Sequence, residues 1–305
     1  MKILLTPKIN PDIDGIACAY AYHKLLIRQS PNYTAIIYGK PHIEAQYVID
    51  RFNINDIQFN SNEYFDRFIL CDASDLTGMP NVFQKKDVIE VIDHRESYST
   101  SEQFPNATLV IELVGAAATL ITEKYMKSNV EIDFNSAILL YGAIFSNTLN
   151  LRGSVTTQRD INATKWIESK IHIPKNFIKE MFQAKTDRLL KNLEETFTND
   201  SKEFEFNDIR FGISQLEVCN AKTLLDKKQN QIFDLLDKLK KQQNLSFNFL
   251  TIADVDHESN IFITKDMRAQ EILGGSFNVI FSDSIAFYNK LILRKQIVPK
   301  LRELL

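Results

Sequence analysis

The chain has 305 residues, of which 44% are hydrophobic and 25% charged, so it can bury a full core and has the length of about two domains. A formal net charge of −3 offers no strong positive field to nucleic acid or anionic membranes, and no apolar run approaches the roughly 18 residues of a membrane span. The cysteines are widely spaced without a CxxC pair, which is typical of thiols in a reducing compartment (Cys18, Cys71 and Cys219). We therefore expect a cytoplasmic protein with no membrane partner and no nucleic-acid partner.

Strand-like and helix-like stretches alternate through the first half of the chain. Short apolar or β-branched runs predict strands over residues 2–6, 33–38, 68–71, 87–92 and 108–112. Longer runs without helix breakers predict helices over residues 16–26, 43–52, 115–125, 135–145 and 156–166. This alternation predicts an α/β domain with a doubly wound, mostly parallel sheet.

The composition changes between residues 185 and 202, where a polar, helix-prone segment is followed by a turn-rich gap. We predict a domain boundary there, with a first domain over residues 1–194 and a second over 200–305. The second part contains a hairpin pattern, a charged amphipathic helix and further strand-like runs, at residues 203–215, 223–243, 247–253, 260–264 and 279–281. It is predicted to be a smaller α/β domain with partly antiparallel strands.

The loop after the first predicted strand carries two aspartates, Asp12 and Asp14. Pro11 fixes one backbone angle there, and Gly15 permits a tight path into the following helix. Two carboxylates this close together repel each other unless a cation lies between them or one is protonated. A divalent-metal site and a plain turn with helix-capping aspartates both explain this loop.

Two further predicted strands also end in an acid. Asp72 ends the third strand and Asp93 ends the fourth, where His94 and Arg95 follow directly. Because parallel strands bring their carboxyl ends to one edge of the sheet, these groups are expected to converge with the first loop. Carboxylates with one imidazole suit Mn²⁺ or Mg²⁺, and two such ions about 3.5–4 Å apart can activate a water and neutralise phosphoryl oxygens.

These loops share their pattern with a known family, and similar stretches continue in order along essentially the whole chain. The shared motifs include Asn10-Pro11-Asp12-Ile13-Asp14, Cys71-Asp72, Asp93-His94-Arg95, Glu112-Leu113-Val114-Gly115, Ser146-Asn147 and Arg294-Lys295-Gln296. On these residues the chain resembles the DHH phosphoesterase superfamily, and within it the manganese-dependent (family II) inorganic pyrophosphatases.

The resemblance implies a fold, a reaction and a set of site residues. It implies a DHHA2-like second domain, an active site in the cleft between the domains, and hydrolysis of a small phosphate compound, inorganic pyrophosphate, to two phosphates. It implies one or two ions of Mn²⁺, Mg²⁺ or Co²⁺ and a homodimer. The implied metal ligands are Asp12, Asp14, Asp72, His94 and Asn147. The implied catalytic residues also include Asp93, which would hold the His94 tautomer, and Arg95. The implied phosphate-binding residues are Lys8, Lys202, Arg294 and Lys295.

Three of these positions depart from the family pattern. Lys8 stands where the family has a histidine ligand, Asn147 where it has an aspartate ligand, and Arg95 where it has the second histidine of the DHH motif. A charged lysine cannot ligate a metal, and asparagine is a weaker ligand than aspartate. An exopolyphosphatase or nucleotide phosphodiesterase of the same superfamily, and a catalytically weakened phosphate-binding paralogue, therefore stay open as alternatives.

Overall fold

The computed structural model describes residues 1–81, 85–95, 100–128 and 130–305. Within it, contacts divide the chain into two compact units. The first consists of Met1–Leu151 and Val155–Met181, and the second of Arg152–Ser154 and Phe182–Leu305. The predicted domain limits at residues 194 and 200 stay a prediction. Among the described residues, no helix has both the length and the apolar character needed to cross a membrane.

The first unit contains a five-stranded sheet whose neighbouring strands all run parallel, which confirms the predicted architecture. Its strands are β1 (Ile3–Thr6), β2 (Tyr33–Ala35), β3 (Arg67–Cys71), β4 (Val88–Asp93) and β5 (Thr108–Ile111). The strand order is β2-β1-β3-β4-β5. Because β2 and β3 lie on opposite sides of β1, the order in which strands are added to the sheet reverses at β1. The carboxyl ends of β1 and β3 therefore flank the place where ligands of such sheets bind.

The helices of the first unit lie between these strands or follow β5. They are α1 (Ile13–Leu26), α2 (Ile43–Arg51), α3 (Thr100–Gln103), α4 (Ala117–Ser128), α5 (Phe134–Asn147) and α6 (Gln158–Lys170), and the first turns of α7 (Phe177–Lys191). α1 packs against α4 and α5. Its alanines are fully buried, and so is Cys18. These small side chains allow the close helix contacts that hold the first loop against α4 and α5.

The second unit is the smaller α/β domain that the sequence predicts, with partly antiparallel strands. Its sheet has the order β10-β9-β8-β7-β6, in which β7 and β8 are parallel and the other neighbouring pairs are antiparallel. The strands are β6 (Ser201–Phe206), β7 (Ile209–Val218), β8 (Phe247–Asp254), β9 (Ser259–Ile263) and β10 (Ile285–Tyr288). The helices are the part of α7 that begins at Phe182, α8 (Leu193–Asn199), α9 (Ala221–Gln242), α10 (Met267–Phe277) and α11 (Arg294–Arg302).

Hydrophobic side chains cover both faces of this second sheet. Every residue of β8 is buried. Its successive side chains alternate between two cores: Phe249 packs with α10 and α11, and Leu250 packs with α8 and α9. A strand buried on both faces carries apolar side chains on both of them, and the apolar residues of β8 on its two faces made it predictable from the sequence.

The prediction of a strand over residues 279–281 is wrong. The strand that pairs with β9 is β10, in which Ile285 faces Ile263 and Tyr288 faces Asn260. Asn278 ends α10 in the left-handed conformation, with φ +52°, and Ile280 beyond it is 90% exposed. Residues 279–281 are therefore an apolar connection between α10 and β10 and do not pair as a strand.

Candidate metal centre

Three side chains from the carboxyl ends of β1, β3 and β4 come together in the first unit. One ligand atom each of Asp14, Asp72 and His94 lies within 4.8 Å of the other two. The Nε2 atom of His94 is 3.8 Å from Oδ2 of Asp14 and 3.6 Å from Oδ1 of Asp72. All three side chains are nearly or fully withdrawn from solvent. We call these three residues the ligand cluster.

Asp14 is held in place by the first turn of α4. Its Oδ2 accepts from the backbone N–H of Ala117 at 2.8 Å, and its Oδ1 from that of Ala118 at 2.7 Å. The side-chain amide nitrogen of Asn147, at the end of α5, donates to Oδ2 at 2.6 Å. The N-terminus of a helix stabilises a carboxylate because its first N–H groups have no partner within the helix. The structure thus brings Asn147 to the cluster, as a donor to Asp14.

Asp12 lies at the start of α1 with a different role in the structure. Its Oδ1 accepts from the backbone N–H groups of Asp14 and Gly15, at 3.0 and 3.1 Å, so Asp12 is the N-cap of the helix. The capping interpretation of this loop therefore holds for Asp12, while its role as a metal ligand stays a prediction. The side chain of Asp14 instead lies beside Asp72 and His94.

Asp72 leaves β3 in the left-handed region, with φ +54°. Its backbone N–H stays paired with the carbonyl of Ile92 at 2.8 Å. The guanidinium of Arg95 binds it twice, with Nη2 2.7 Å from Oδ1 and 3.0 Å from the carbonyl oxygen. A non-glycine residue rarely adopts this conformation, and where it does the surrounding contacts must hold it.

The ring of His94 is oriented by the chain between β5 and α4. Its Nδ1 lies 3.2 Å from the carbonyl oxygen of Val114. An N–H at Nδ1 that donates to this carbonyl leaves the neutral ring with a lone pair on Nε2, and that atom faces the two carboxylates. The Oδ1 atom of Asp93 instead accepts from the backbone N–H of His94 at 2.7 Å and from Nε of Arg95 at 3.2 Å. Val114, not Asp93, is thus the partner that fixes the His94 tautomer.

These donors fit a hard divalent cation. Burial, and after it the charge of Asp12, raises the pKa of Asp14 to about 7. Burial and the charges of Asp12 and Asp14 raise the pKa of Asp72 well above its usual value. Buried carboxylates that face an imidazole lone pair need a positive charge between them, either a proton or a metal ion. Two carboxylate oxygens and one imidazole nitrogen are ligands that suit Mn²⁺ or Mg²⁺.

Within the described residues, the hydrogen bonds of the Lys8 side chain do not reach the ligand cluster. Its ammonium lies 2.9 and 2.8 Å from the two carboxylate oxygens of Asp75. The same carboxylate caps the turn at Thr77, whose N–H donates to it at 2.7 Å. Asp75 was missed by the sequence analysis, although its place three residues after Asp72 in the same loop is a signal that was available.

The basic residues predicted in the second unit lie near one another. Lys202 on β6 is paired in register with Ile213 on β7. The guanidinium of Arg294, at the start of α11, donates to the carbonyl of Ile213 at 3.0 Å, and also to the backbone and side chain of Asp200. Lys295 follows Arg294 in the same first turn. Only 11% of the Arg294 side chain is exposed, so its guanidinium is largely engaged within the unit.

Two family models match the chain in succession. Residues 2–144 match the DHH family, N-terminal domain, and residues 179–304 match the DHHA2 domain. The chain belongs to the DHH family. The candidate cluster of this DHH-family protein lies entirely within the part that matches the N-terminal domain.

Relatives of known name match along their full length. A protein of Clostridium acetobutylicum named "Probable manganese-dependent inorganic pyrophosphatase" is 26% identical over 302 residues, which are 98% of this chain and 96% of the relative. The manganese-dependent inorganic pyrophosphatase of Bacillus subtilis is 26% identical over 309 residues, covering 99% and 98% of the two chains. The chain is thus similar to hydrolases that depend on a divalent metal.

A crystal structure supports the same fold. It is that of a Methanococcus jannaschii protein named "putative family II inorganic pyrophosphatase", with a TM-score of 0.71 and 24% identity. The match covers 99% of this chain and 98% of the other. This DHH-family protein therefore has the two-part fold that the sequence predicted.

Proposed function

We propose that this protein is a manganese-dependent hydrolase that splits inorganic pyrophosphate into two phosphates. The observation that carries the proposal is the ligand cluster of Asp14, Asp72 and His94 at the carboxyl edge of the sheet. The full-length similarity to manganese-dependent pyrophosphatases supports the substrate and the metal. The cluster also lies where the strand order of the sheet reverses, which is the usual place for ligands in such sheets and suits a DHH-family phosphoesterase.

In this proposal Asp14, Asp72 and His94 hold the divalent ion, with Asp12 and Asn147 beside them. A bound ion of this kind polarises a phosphoryl oxygen and lowers the pKa of a water. The residues of the chain supply the orientation: the first turn of α4 holds Asp14, and the Val114 carbonyl holds the ring of His94. Mg²⁺ or Co²⁺ would use the same ligands.

Arg95 is the residue of the first unit that we assign as a hydrogen-bond donor to the phosphate of the substrate. Its guanidinium is fixed on one side by Asp72 and Asp93, while 49% of its side chain stays exposed. Because Nε and Nη2 bind Asp93 and Asp72, the N–H groups of Nη1 are the ones that we assign to phosphate oxygens, with which a charged guanidinium forms strong hydrogen bonds. Lys8 and the second-unit residues Lys202, Arg294 and Lys295 are assigned to phosphate binding by resemblance. Arg294 would have to exchange partners with Asp200 to do so.

A second candidate function is phosphate binding without turnover. Two contacts favour it: Asn147 presents an amide N–H to Asp14, and Lys8 is held by Asp75. Each substitutes a hydrogen-bond donor for a metal ligand of the family pattern, which weakens the attraction for a metal ion. A homodimer and a cytoplasmic location stay predictions.

The test is phosphate release from pyrophosphate by the purified protein with Mn²⁺, Mg²⁺ or Co²⁺. We expect turnover that Asp72→Ala abolishes and that Asp87→Ala preserves. Asp87 precedes β4, and its carboxylate binds Arg67 at 3.0 Å near the opposite end of the same strands. Parallel assays with polyphosphate, cyclic dinucleotides and short oligonucleotides test the other hydrolases of the superfamily. Protein that binds Mn²⁺ but neither releases phosphate from pyrophosphate or polyphosphate nor cleaves the phosphodiester bonds of the nucleotide substrates contradicts the proposal and supports the binding function.

A further inference from the structure

One short segment supports two members of the ligand cluster at once. We call Val114–Ala118, which leads from β5 into α4, the support segment. Its first carbonyl accepts from His94, with a distance of 3.2 Å to Nδ1, and its last two N–H groups donate to Asp14 at 2.8 and 2.7 Å. A displacement of this segment therefore moves a histidine and a carboxylate of the cluster together.

The support segment is itself anchored by Asp160 in the first turn of α6. The side chain of Asp160 is fully buried. Its two carboxylate oxygens lie 3.0 and 2.9 Å from the backbone nitrogen of Gly115, and Oδ1 accepts from the hydroxyl of Thr119 at 2.6 Å. Oδ2 also accepts from the N–H and the hydroxyl of Thr157, both at 2.7 Å. One carboxylate thus ties the segment to the N-terminus of α6.

The contact between the two elements leaves no space for adjustment. A Cβ atom added at Gly115 would lie 2.4 Å from Cγ2 of Thr148 and 2.9 Å from Oδ2 of Asp160. Real Cβ atoms do not approach other atoms so closely, so the backbone of the segment rests directly on the Asp160 carboxylate. Position 115 therefore requires a glycine because of this close packing, although its backbone angles are not unusual.

We propose that Asp160 is a positioning residue for the metal centre, acting through the support segment on Asp14 and His94. This inference rests on the proposed function, in which these residues hold a divalent ion. Asp160 contacts neither of them; it acts by accepting hydrogen bonds at both carboxylate oxygens. The backbone N–H of Gly115 lies 3.0 and 2.9 Å from the two oxygens of Asp160, so the NH₂ group of an asparagine would face this N–H in either orientation of the amide. The segment then shifts to relieve the conflict between donors.

The experiment compares Asp160→Asn with Asp133→Asn. Asp133 also caps a helix of the first unit, accepting from the N–H and hydroxyl of Ser136 at 2.9 and 2.6 Å, and within the described part of the chain it does not hydrogen-bond to the support segment. Mn²⁺ affinity is measured by titration calorimetry, and the His94 tautomer by ¹⁵N chemical shifts of the ring. Partners that orient metal ligands typically contribute about 10- to 100-fold to affinity, so Asp160→Asn is expected to weaken Mn²⁺ binding by that factor and to alter the ¹⁵N shifts of His94. Asp133→Asn is expected to leave both unchanged.

A second variant keeps the test decisive if Asp160→Asn does not fold. Gly115→Ala pushes the segment away from Asp160 and is expected to weaken Mn²⁺ binding in the same direction. The positioning role is overturned if the folded variants bind Mn²⁺ as tightly as the wild type with unchanged His94 shifts. A wild type that binds Mn²⁺ but hydrolyses no phosphoanhydride refutes the proposed function alone, because the affinity comparison still stands. If the wild type binds no Mn²⁺, the ¹⁵N shifts of His94 test the positioning role alone, and unchanged shifts in the folded variants overturn it.

Discussion

Asp72 combines a left-handed backbone, a buried carboxylate and a contact with a guanidinium. A non-glycine residue in this region costs about 1 kcal/mol or more, so other contacts must stabilise it. The hydrogen bonds from the Asp72 N–H to Ile92 and from Arg95 to the Asp72 carbonyl do so on either side. The strain and the contacts together place Oδ1 of Asp72 within 3.6 Å of His94.

Arg95 is expected to have opposite effects on metal binding and on turnover. Removing its positive charge in Arg95→Ala frees Oδ1 of Asp72. Two unit charges about 4 Å apart in water interact by about 1 kcal/mol, so a guanidinium repels a dication by about 2 kcal/mol, or about 30-fold in affinity. Mn²⁺ binding should therefore become about 30-fold tighter. Loss of the fixed guanidinium should lower kcat for pyrophosphate by about tenfold or more. Calorimetry and a phosphate-release assay measure the two effects.

Arg67→Ala is the matched control for this prediction. Arg67 begins β3, the strand that Asp72 follows, and its side chain is 43% exposed, against 49% for Arg95. It should change neither the Mn²⁺ affinity nor kcat. Weaker Mn²⁺ binding in Arg95→Ala would contradict the idea that the guanidinium competes with the metal for Asp72.

The sequence predicted the members of the ligand cluster because each follows a recognisable strand. It did not predict Val114 or Asp160 as their supports, nor Asp75 as the partner of Lys8. Asp160 lies 45 residues from Gly115 along the chain, and a helix-capping aspartate looks the same in sequence whether or not it also holds a distant loop. The role of Val114 is carried by its backbone carbonyl, which no side-chain pattern reports.

At the scale of elements, the contact between α1 and α5 positions the first loop. Gly142 of α5 faces Ile13, the first residue of α1, and a Cβ added there would lie 2.9 Å from Cδ1 of Ile13 and 3.2 Å from the ring of Phe177. The glycine thus permits α5 to approach the start of the helix that carries Asp14.

Gly142→Ala is therefore expected to lower the free energy of unfolding by about 1–3 kcal/mol, the usual effect of adding atoms to a packed core. Denaturation with urea, followed by circular dichroism, measures this change. Gly274→Ala in α10 is the control, since its Cβ would meet only the carbonyl of Val279 at 3.4 Å. The control should be neutral or stabilising by up to about 1 kcal/mol, because alanine favours helices. Equal effects of the two substitutions would contradict the packing argument.

The strands of the first sheet were predictable because each is a short apolar run that ends at a polar residue. Helices α10 and α11 were not predicted: α10 contains Gly274 and Gly275, and α11 contains Pro299, residues that weaken a helix pattern. Both helices form because their apolar side chains, such as Leu273 and Ile297, are fully buried against the second sheet. Tertiary packing outweighs local propensity in these cases.

At the scale of the whole molecule, the two family models match two different parts of the chain. The ligand cluster and its supports up to Ala118 lie in the part that matches the DHH N-terminal domain, while Asp160 lies between the two matched regions. The full-length similarity to manganese-dependent pyrophosphatases extends over both parts. The central claim is that acids at the ends of separate strands hold one divalent ion together.

The most direct test is a crystal structure of the full chain grown with Mn²⁺, with anomalous diffraction data collected at the manganese edge. We expect an anomalous peak within coordination distance of Asp14, Asp72 and His94, and its loss in Asp72→Ala. Ordered side chains at these three positions with no manganese between them, or a manganese peak bound elsewhere, would contradict the account.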